Sequence, residues 1–312
     1  MIQRFSALWA ALAIVFGAHG AAMAAASDWF EHEQGAVRLI SAGATAGSGE
    51  RIALGLEFRM KPGWKIYWRS PGDAGFPPQL NWAGSQNFAG AKMAWPAPHR
   101  FSVLDLETLG YKKHVVFPIE AEPFEPGKPV NLRAKVQFLT CDDICVPYET
   151  ALSLDLPAGP DINTPEVGAI ETWRARVPPT GGDAPLAIEK AELAGEGASQ
   201  ALVVRISGKE PLAAPDVFVE GPVDYGFRKP VVQVASTGTE ALLSIGVLAP
   251  KKPDSRLAGE TVTLTLVDGD RSVERRLVLE RAAAVAPGTS GPAPAAATDV
   301  FGYGFAAILG LA

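Results

Sequence analysis

Alternation of apolar and polar side chains is the feature of this chain that most limits its fold. From residue 130 to 138 every second side chain is apolar, and Asn131, Arg133, Lys135 and Gln137 stand between them. A period of two is typical of a strand with one buried and one solvated face. Residues 52–60 and the alternate leucines of 152–156 repeat it, and no long helical period competes within residues 30–156. This half of the chain is predicted to be an all-β sandwich.

The second half of the chain contains about seven short apolar runs of the strand type. They lie at residues 186–188, 202–206, 217–219, 231–234, 242–247, 261–267 and 273–279. Asp268-Gly269-Asp270 is a good hairpin turn between the last two runs. Short strands at this spacing favour an immunoglobulin-like sandwich. The predicted fold class is therefore all-β, with two immunoglobulin-like β-sandwich domains in tandem.

Composition divides the chain into six segments. Residue 4 is basic, residues 7–17 are apolar and residues 20–26 are small, which is typical of a secretory signal peptide. The apolar stretch at the C-terminal end, residues 301–312, is too short to span a bilayer and predicts the start of a truncated transmembrane segment. The alternative to the signal peptide is an uncleaved N-terminal anchor, and the alternative to the transmembrane segment is a sticky C-terminal tail. The predicted segments are a signal peptide (1–26), a first domain (27–157), a linker with a short helix near 165–176 (158–183), a second domain (184–282), a Pro/Ala-rich linker (283–300) and the membrane segment (301–312).

The net charge of -6, without a basic cluster, argues against a nucleic-acid partner, because phosphate binding needs concentrated Lys and Arg. Export places the chain in an oxidising compartment, where unpaired thiols are a liability. The chain has two cysteines, Cys141 and Cys145, which are therefore interpreted as a pair. No cofactor is expected, since the sequence has no Gly-rich phosphate loop and no nucleophile elbow.

The strand pattern places the cysteine pair at the end of a hairpin. Phe138 points inward, so Cys141 falls on the opposite, solvated face, and the next strand is expected to begin near Thr150. A turn can bring the two Cα atoms to the ~5.5 Å that a disulfide prefers. A closed loop of about five residues stabilises a fold by roughly 2 kcal/mol, against about 4.7 for a loop of about 100. Short spacing in a turn therefore favours exchange chemistry over bracing.

Asp142 and Asp143 separate the cysteines and disfavour a thiolate at either one. A dithiol without a stabilised thiolate is a good electron donor. The pair is thus predicted to reduce its partners, and both aspartates are candidate residues lining the site.

Two motifs resemble the N-terminal periplasmic region of DsbD-type disulfide reductases, in particular the ScsB-like branch named for suppression of copper sensitivity. Residues 61–75 read KPGWKIYWRSPGDAG, with Pro77-Pro78 following, and residues 141–147 read CDDICVP. The resemblance covers most of residues 27–156. It implies an immunoglobulin-like redox domain at the periplasmic side of the bacterial inner membrane. Such a domain receives electrons through a membrane domain of the same protein, which also carries a thioredoxin-like part, and passes them to periplasmic thioredoxin-fold partners.

The resemblance also implies individual roles. Cys145 would form the mixed disulfide with the partner, and Cys141 would resolve it. Tyr67 matches a tyrosine that lines the site in the family, although a packed aromatic between Trp64 and Trp68 is the alternative. A protective cap would lie around residues 101–110, which lack the adjacent Phe-Tyr pair of the DsbD cap.

Two other functions compete with redox exchange. In the first, Cys141 and Cys145 would bind copper or zinc together with His99 or His114, because soft thiolates suit these metals. Neither histidine stands in a motif with ligand spacing. In the second, the disulfide would brace a loop of a binding domain without redox turnover.

Overall fold

The computed structural model describes residues 26–103, 106–196, 199–248 and 256–282 of this chain. Nearly all of its regular structure is strand, with one short α-helix among the described residues. No helix in these ranges is long and apolar enough to cross a membrane. The predicted signal peptide, apart from Ala26, and both predicted segments after residue 282 lie outside the described residues.

The first sandwich is built from eleven strands within the described ranges. In chain order these are β1 (Phe30–His32), β2 (Gly35–Ser41), β3 (Ile52–Met60), β4 (Lys65–Gly72), β5 (Gln79–Asn81), β6 (Gly90–Met93), β7 (His99–Val103), β8 (Leu106–Lys112), β9 (His114–Glu122), β10 (Val130–Cys141) and β11 (Cys145–Leu156). One sheet has the order β1-β2-β3-β9-β6 and the other β11-β10-β4-β8-β7, with β5 paired to β10.

The alternation seen in the sequence explains the core between these sheets. Val130, Leu132, Ala134, Val136 and Phe138 are all buried, and Lys135 and Gln137 are exposed. The leucines of β11 pair with them, as in Leu132↔Leu154, so both strands turn the same face inward. β11 begins at Cys145 and not near Thr150, which makes the hairpin longer and its turn tighter than expected.

The second sandwich follows after a helix, α1 (Val167–Arg174). Its strands are β12 (Leu186–Ala194), β13 (Ala201–Gly208), β14 (Asp216–Glu220), β15 (Val231–Val234), β16 (Glu240–Gly246), β17 (Thr261–Asp268), β18 (Arg271–Val278) and β19 (Glu280–Arg281). They form sheets of order β15-β16-β13-β12-β19 and β14-β17-β18. Asp268 pairs with Arg271, which confirms the predicted hairpin, and Gly269 adopts the positive φ of 62° that this tight turn needs. The prediction of two all-β sandwiches is confirmed.

Helix α1 packs on the first sandwich. Ile170 is fully buried against Ile40 and Val116, and Trp173 stacks edge-on with Tyr111. The helix therefore covers the outer face of the β2-β3-β9 sheet.

The two sandwiches contact each other near the end of β4. Phe218 of β14 is buried in the core cluster of the first sandwich, with its ring 6.0 Å from that of Trp68. Arg69 donates to Glu220 at 2.9 Å and also binds Glu274. Arg100 of β7 donates to Asp216 at 2.8 Å. Apolar and charged contacts thus join the second sandwich to β4 and β7 of the first.

Candidate functional site

The β10–β11 hairpin ends in a disulfide. Cys141 and Cys145 are the last paired residues of its ladder and are covalently joined, with their Cα atoms 4.2 Å apart. Asp142, Asp143 and Ile144 form the turn, which is closed by the Asp142 N–H donating to the Ile144 carbonyl at 3.0 Å. The ladder sets the two cysteines opposite each other, so the bond closes a short ring at the tip of the hairpin.

The two sulfur-bearing residues differ sharply in exposure. Cys141 is 0% exposed, whereas Cys145 and its neighbour Ile144 are exposed. The prediction that Cys141 faces solvent is wrong. Its side chain does point away from the core, as parity requires, but at this end of β10 the neighbouring strand β4 pairs with it, at Cys141↔Lys65. The β4 side chains on this face, Lys65 and Tyr67, are buried as well, so the face that is solvated farther back along β10 is closed at this end.

Tyr67 of β4 lies at the site. Its hydroxyl is 3.9 Å from Cys145 Sγ, and the side chain is 2% exposed. Burial raises the pKa of this phenol, so it stays protonated at neutral pH. Gly75 lies against the ring: a Cβ there would be 2.4 Å from two ring carbons, and its φ is +125°. The loop after β4 therefore closes over Tyr67 only because residue 75 is glycine.

Strand β4 also supplies a charged group, Lys65, to the site. Its Nζ lies 3.4 Å from Asp142 Oδ1, and its side chain is 8% exposed against 41% for Asp142. Gly63, with φ of +92°, packs on this carboxylate, since a Cβ there would be 2.3 Å from Asp142 Oδ2. Asp143, by contrast, is exposed. Of the two aspartates in the turn, Asp142 is thus the one held by neighbouring residues.

The predicted cap segment forms the β7–β8 hairpin. Asp73, after β4, exchanges two hydrogen bonds of 2.9 Å with the backbone of Glu107, which ties this hairpin to the loop that covers Tyr67. Phe101 packs under the ammonium group of Lys112, 4.5 Å from the ring centroid. The tip of the expected cap, residues 104 and 105, lies outside the described residues.

Neither histidine considered as a metal ligand joins the cysteines. His114 Nε2 lies 3.0 Å from Glu57 Oε1, and the His99 ring lies beside Phe101. Within the described ranges, no group of three or more His, Cys, Asp or Glu side chains is arranged to hold a metal ion. The metal alternative therefore gains no ligand set from the fold.

Sequence reasoning missed Lys65 and the two glycines, Gly63 and Gly75. All three lie inside the motif of residues 61–75, and Lys65 shares the parity of Tyr67. Strand parity alone could have placed Lys65 on the face of Tyr67. The register of β4 against β10, which brings that face to the cysteines, had no signal in the sequence.

The first sandwich is thus a β domain of the immunoglobulin-like class that carries a disulfide at the exposed tip of a hairpin. Residues 36–157 match the family described as thiol:disulfide interchange protein DsbD, N-terminal, and residues 176–282 match a domain of unknown function (DUF8393). A search of curated protein sequences gave no match.

A solved structure has the same fold. The chain is similar to the N-terminal periplasmic domain of ScsB from Proteus mirabilis, with a TM-score of 0.67 and 24% sequence identity. The similarity covers 83% of this chain and 99% of that one, so it includes both sandwiches. Residues 36–157 thus resemble the DsbD N-terminal domain in sequence, and the chain resembles the ScsB N-terminal periplasmic domain in fold.

Proposed function

We propose that this chain is a periplasmic thiol-disulfide exchange module that reduces thioredoxin-fold partners through a Cys141/Cys145 dithiol-disulfide cycle. Electrons reach the pair from a membrane-embedded domain of the same full-length protein, at the inner membrane. The match of residues 36–157 to the DsbD N-terminal family supports the chemistry.

The observation that carries the proposal is the contrast in exposure between the two cysteines. An incoming thiolate must approach a disulfide sulfur directly, and only an accessible sulfur can be attacked. Cys145 is exposed at the hairpin tip and Cys141 is fully buried. This contrast supports Cys145 as the partner-facing thiol and Cys141 as the resolving thiol.

The proposed reaction transfers two electrons and two protons. In the reduced domain, the Cys145 thiolate attacks the partner's disulfide, forms a mixed disulfide and displaces one partner thiolate. Cys141 then loses its proton and attacks Cys145 Sγ. The Cys141–Cys145 bond forms, and the second partner sulfur leaves as a thiolate. The partner ends as a dithiol and the domain as a disulfide, ready for reduction from the membrane side.

Trapping the mixed disulfide tests the proposal. The full chain carrying Cys141→Ser is incubated with an oxidised periplasmic disulfide isomerase, and the products are separated without reductant. We expect a covalent complex, because Cys145 can attack while the resolving thiol is missing. The Cys145→Ser variant is the matched control and should give no complex.

Three other outcomes would change the conclusion. A complex formed only by Cys145→Ser would reverse the two roles. Absence of a complex with both variants, together with a wild-type disulfide that reduced partners cannot open, would show a brace and overturn the proposal. Thiols that become protected by added copper(I) or zinc would instead support the metal-binding alternative.

A further inference from the structure

Three Asp, Glu, Lys or Arg side chains of the described residues are buried: Glu57, Lys65 and Asp268. The two carboxylates are surrounded by donors. Glu57 binds Arg38, Arg59 and His114, and Asp268 accepts from the backbone N–H groups of Ala213 and Ala214 and from Arg271.

Lys65 differs from both carboxylates. The ion pair found for it among the described residues is with Asp142, at 3.4 Å, and that carboxylate is 41% exposed. A buried ammonium is costly unless it is paired and hydrogen-bonded. The buried charge of Lys65 therefore calls for an explanation, and the residues around it supply one.

The ladder places Lys65 beside the buried cysteine. Lys65 pairs with Cys141 across β4 and β10, and Cys141 pairs with Cys145 across β10 and β11. Directly opposed residues of antiparallel strands point to the same face, with Cβ atoms about 4.5–5.5 Å apart. Lys65, Cys141 and Cys145 therefore form one row across three strands. Tyr67 is two residues along β4 on the same face, with its hydroxyl near Cys145.

We propose that Lys65 is a positioning residue whose ammonium group stabilises the Cys141 thiolate, with Asp142 as its counterion while the disulfide is intact. The inference rests on the proposed function and adds to it the group that makes a buried cysteine able to ionise. It replaces the expectation that neither cysteine has a stabilised thiolate. Burial alone would disfavour a thiolate at Cys141, and a cation within about 4–6 Å offsets that cost.

The same cation acts in both directions of the cycle. When an external dithiol opens the disulfide at Cys145, Cys141 leaves as a thiolate, and better leaving thiolates depart faster. When Cys141 resolves the mixed disulfide, it must first lose its proton to water, and the thiolate that attacks lies beside Lys65. Lys65 gains and loses no electrons in either step.

Thiolate absorbance against pH tests the inference in a Cys145→Ser background, where Cys141 is the remaining thiol. The charged and titratable groups around it are Lys65, Tyr67, Lys112, Asp142 and Asp143. Lys65→Met should lower the thiolate fraction near neutral pH about tenfold or more, and Lys65→Arg should restore most of it. Lys112→Met is the matched control, since Lys112 pairs with Lys65 from β8 but is exposed.

An unchanged pH profile in Lys65→Met, or an equal effect of Lys112→Met, would overturn the inference. If circular dichroism shows that Lys65→Met does not fold, the turn aspartates decide the matter. Asp142→Asn should raise the thiolate fraction several-fold more than Asp143→Asn, because it also frees the charge of Lys65. Equal effects would mean simple repulsion from the turn and no role for Lys65.

Exchange by the wild-type chain separates this inference from the proposed function. An inert wild-type disulfide would defeat the proposed function whatever the titration shows. A wild-type chain that exchanges, with a Lys65→Met variant that exchanges at the same rate across pH, would defeat the role of Lys65 alone.

Discussion

Two hairpin ends in the described part of the chain lie beside buried charges, and they are built in opposite ways. The β17–β18 turn of the second sandwich is a two-residue loop beside Asp268, whose carboxylate is 1% exposed. Burial acts to raise the pKa of this carboxyl, but hydrogen bonds from Ala214, Ala213 and Arg271 outweigh it, and the pKa is lowered. The β10–β11 turn of the first sandwich holds a disulfide and lies beside the weakly paired Lys65 of β4.

The contrast shows how to tell a structural charge from a functional one. Asp268 has its donors supplied by the fold, so the group is complete without any ligand. Lys65 has a partly exposed counterion on a turn, so its ammonium can respond when a second negative charge appears beside it. The first arrangement stabilises the sandwich, and the second is suited to a site whose charge changes during its cycle.

Removing Asp268 should give the largest loss of stability. Asp268→Ala leaves the N–H groups of Ala213 and Ala214 without their acceptor and removes the ionic partner of Arg271, which keeps the backbone carbonyls of Glu210 and Pro211. Breaking a buried pair on one side costs about 3–5 kcal/mol. Urea unfolding measures it, with the exposed Asp270→Ala as the control from the same turn. A loss below about 1 kcal/mol would contradict the structural role and remove the contrast with Lys65.

Glu57 is a second buried charge with all its partners supplied by the fold, and its contribution to stability can be tested by changing the pH. Burial would raise the pKa of Glu57, but hydrogen bonds from His114 and Arg38 and the charges of Arg38 and Arg59 lower it to about 2 from 4.5. A depressed pKa in the folded state contributes stability that is complete above pH 4.5 and is lost as the pH falls toward 2. The expected contribution is about 3 kcal/mol.

Thermal unfolding between neutral and acidic pH measures this term. The Glu57→Gln variant should be less stable at neutral pH and should show a flatter acid limb than the wild-type chain. Equal slopes in the two proteins would mean that Glu57 titrates normally and is not held as the structure indicates.

The fold was largely predictable, since strand parity requires only local sequence. The alternation in β10 and β11 fixed which side chains face the core, and Asp268-Gly269-Asp270 marked its turn. The exposure of Cys141 was mispredicted because it depends on β4, which is about 75 residues away in sequence. Contacts of still longer range join Trp68 to Phe218 and Arg69 to Glu220, and no local sequence pattern predicts them.

Opening the disulfide should have the smallest effect on stability and the clearest bearing on the comparison. The bond closes a loop of about five residues, so its loss removes roughly 2 kcal/mol, less than the loss of Asp268. Urea unfolding of the reduced chain and of the Cys141→Ala/Cys145→Ala double variant measures it, with Asp268→Ala alongside. The double variant controls for effects of the reductant itself.

A loss of about 2 kcal/mol or less would support a bond that can open during a cycle without unfolding the sandwich. A loss equal to that of Asp268→Ala would mean that the disulfide is a brace of the same rank as the buried carboxylate. The two hairpin ends would then share one structural role, and the stability of the chain would no longer favour exchange chemistry at the β10–β11 hairpin. The burial of Cys141 makes this a demanding test, because reduction leaves a thiol in a space that β4 closes on one side.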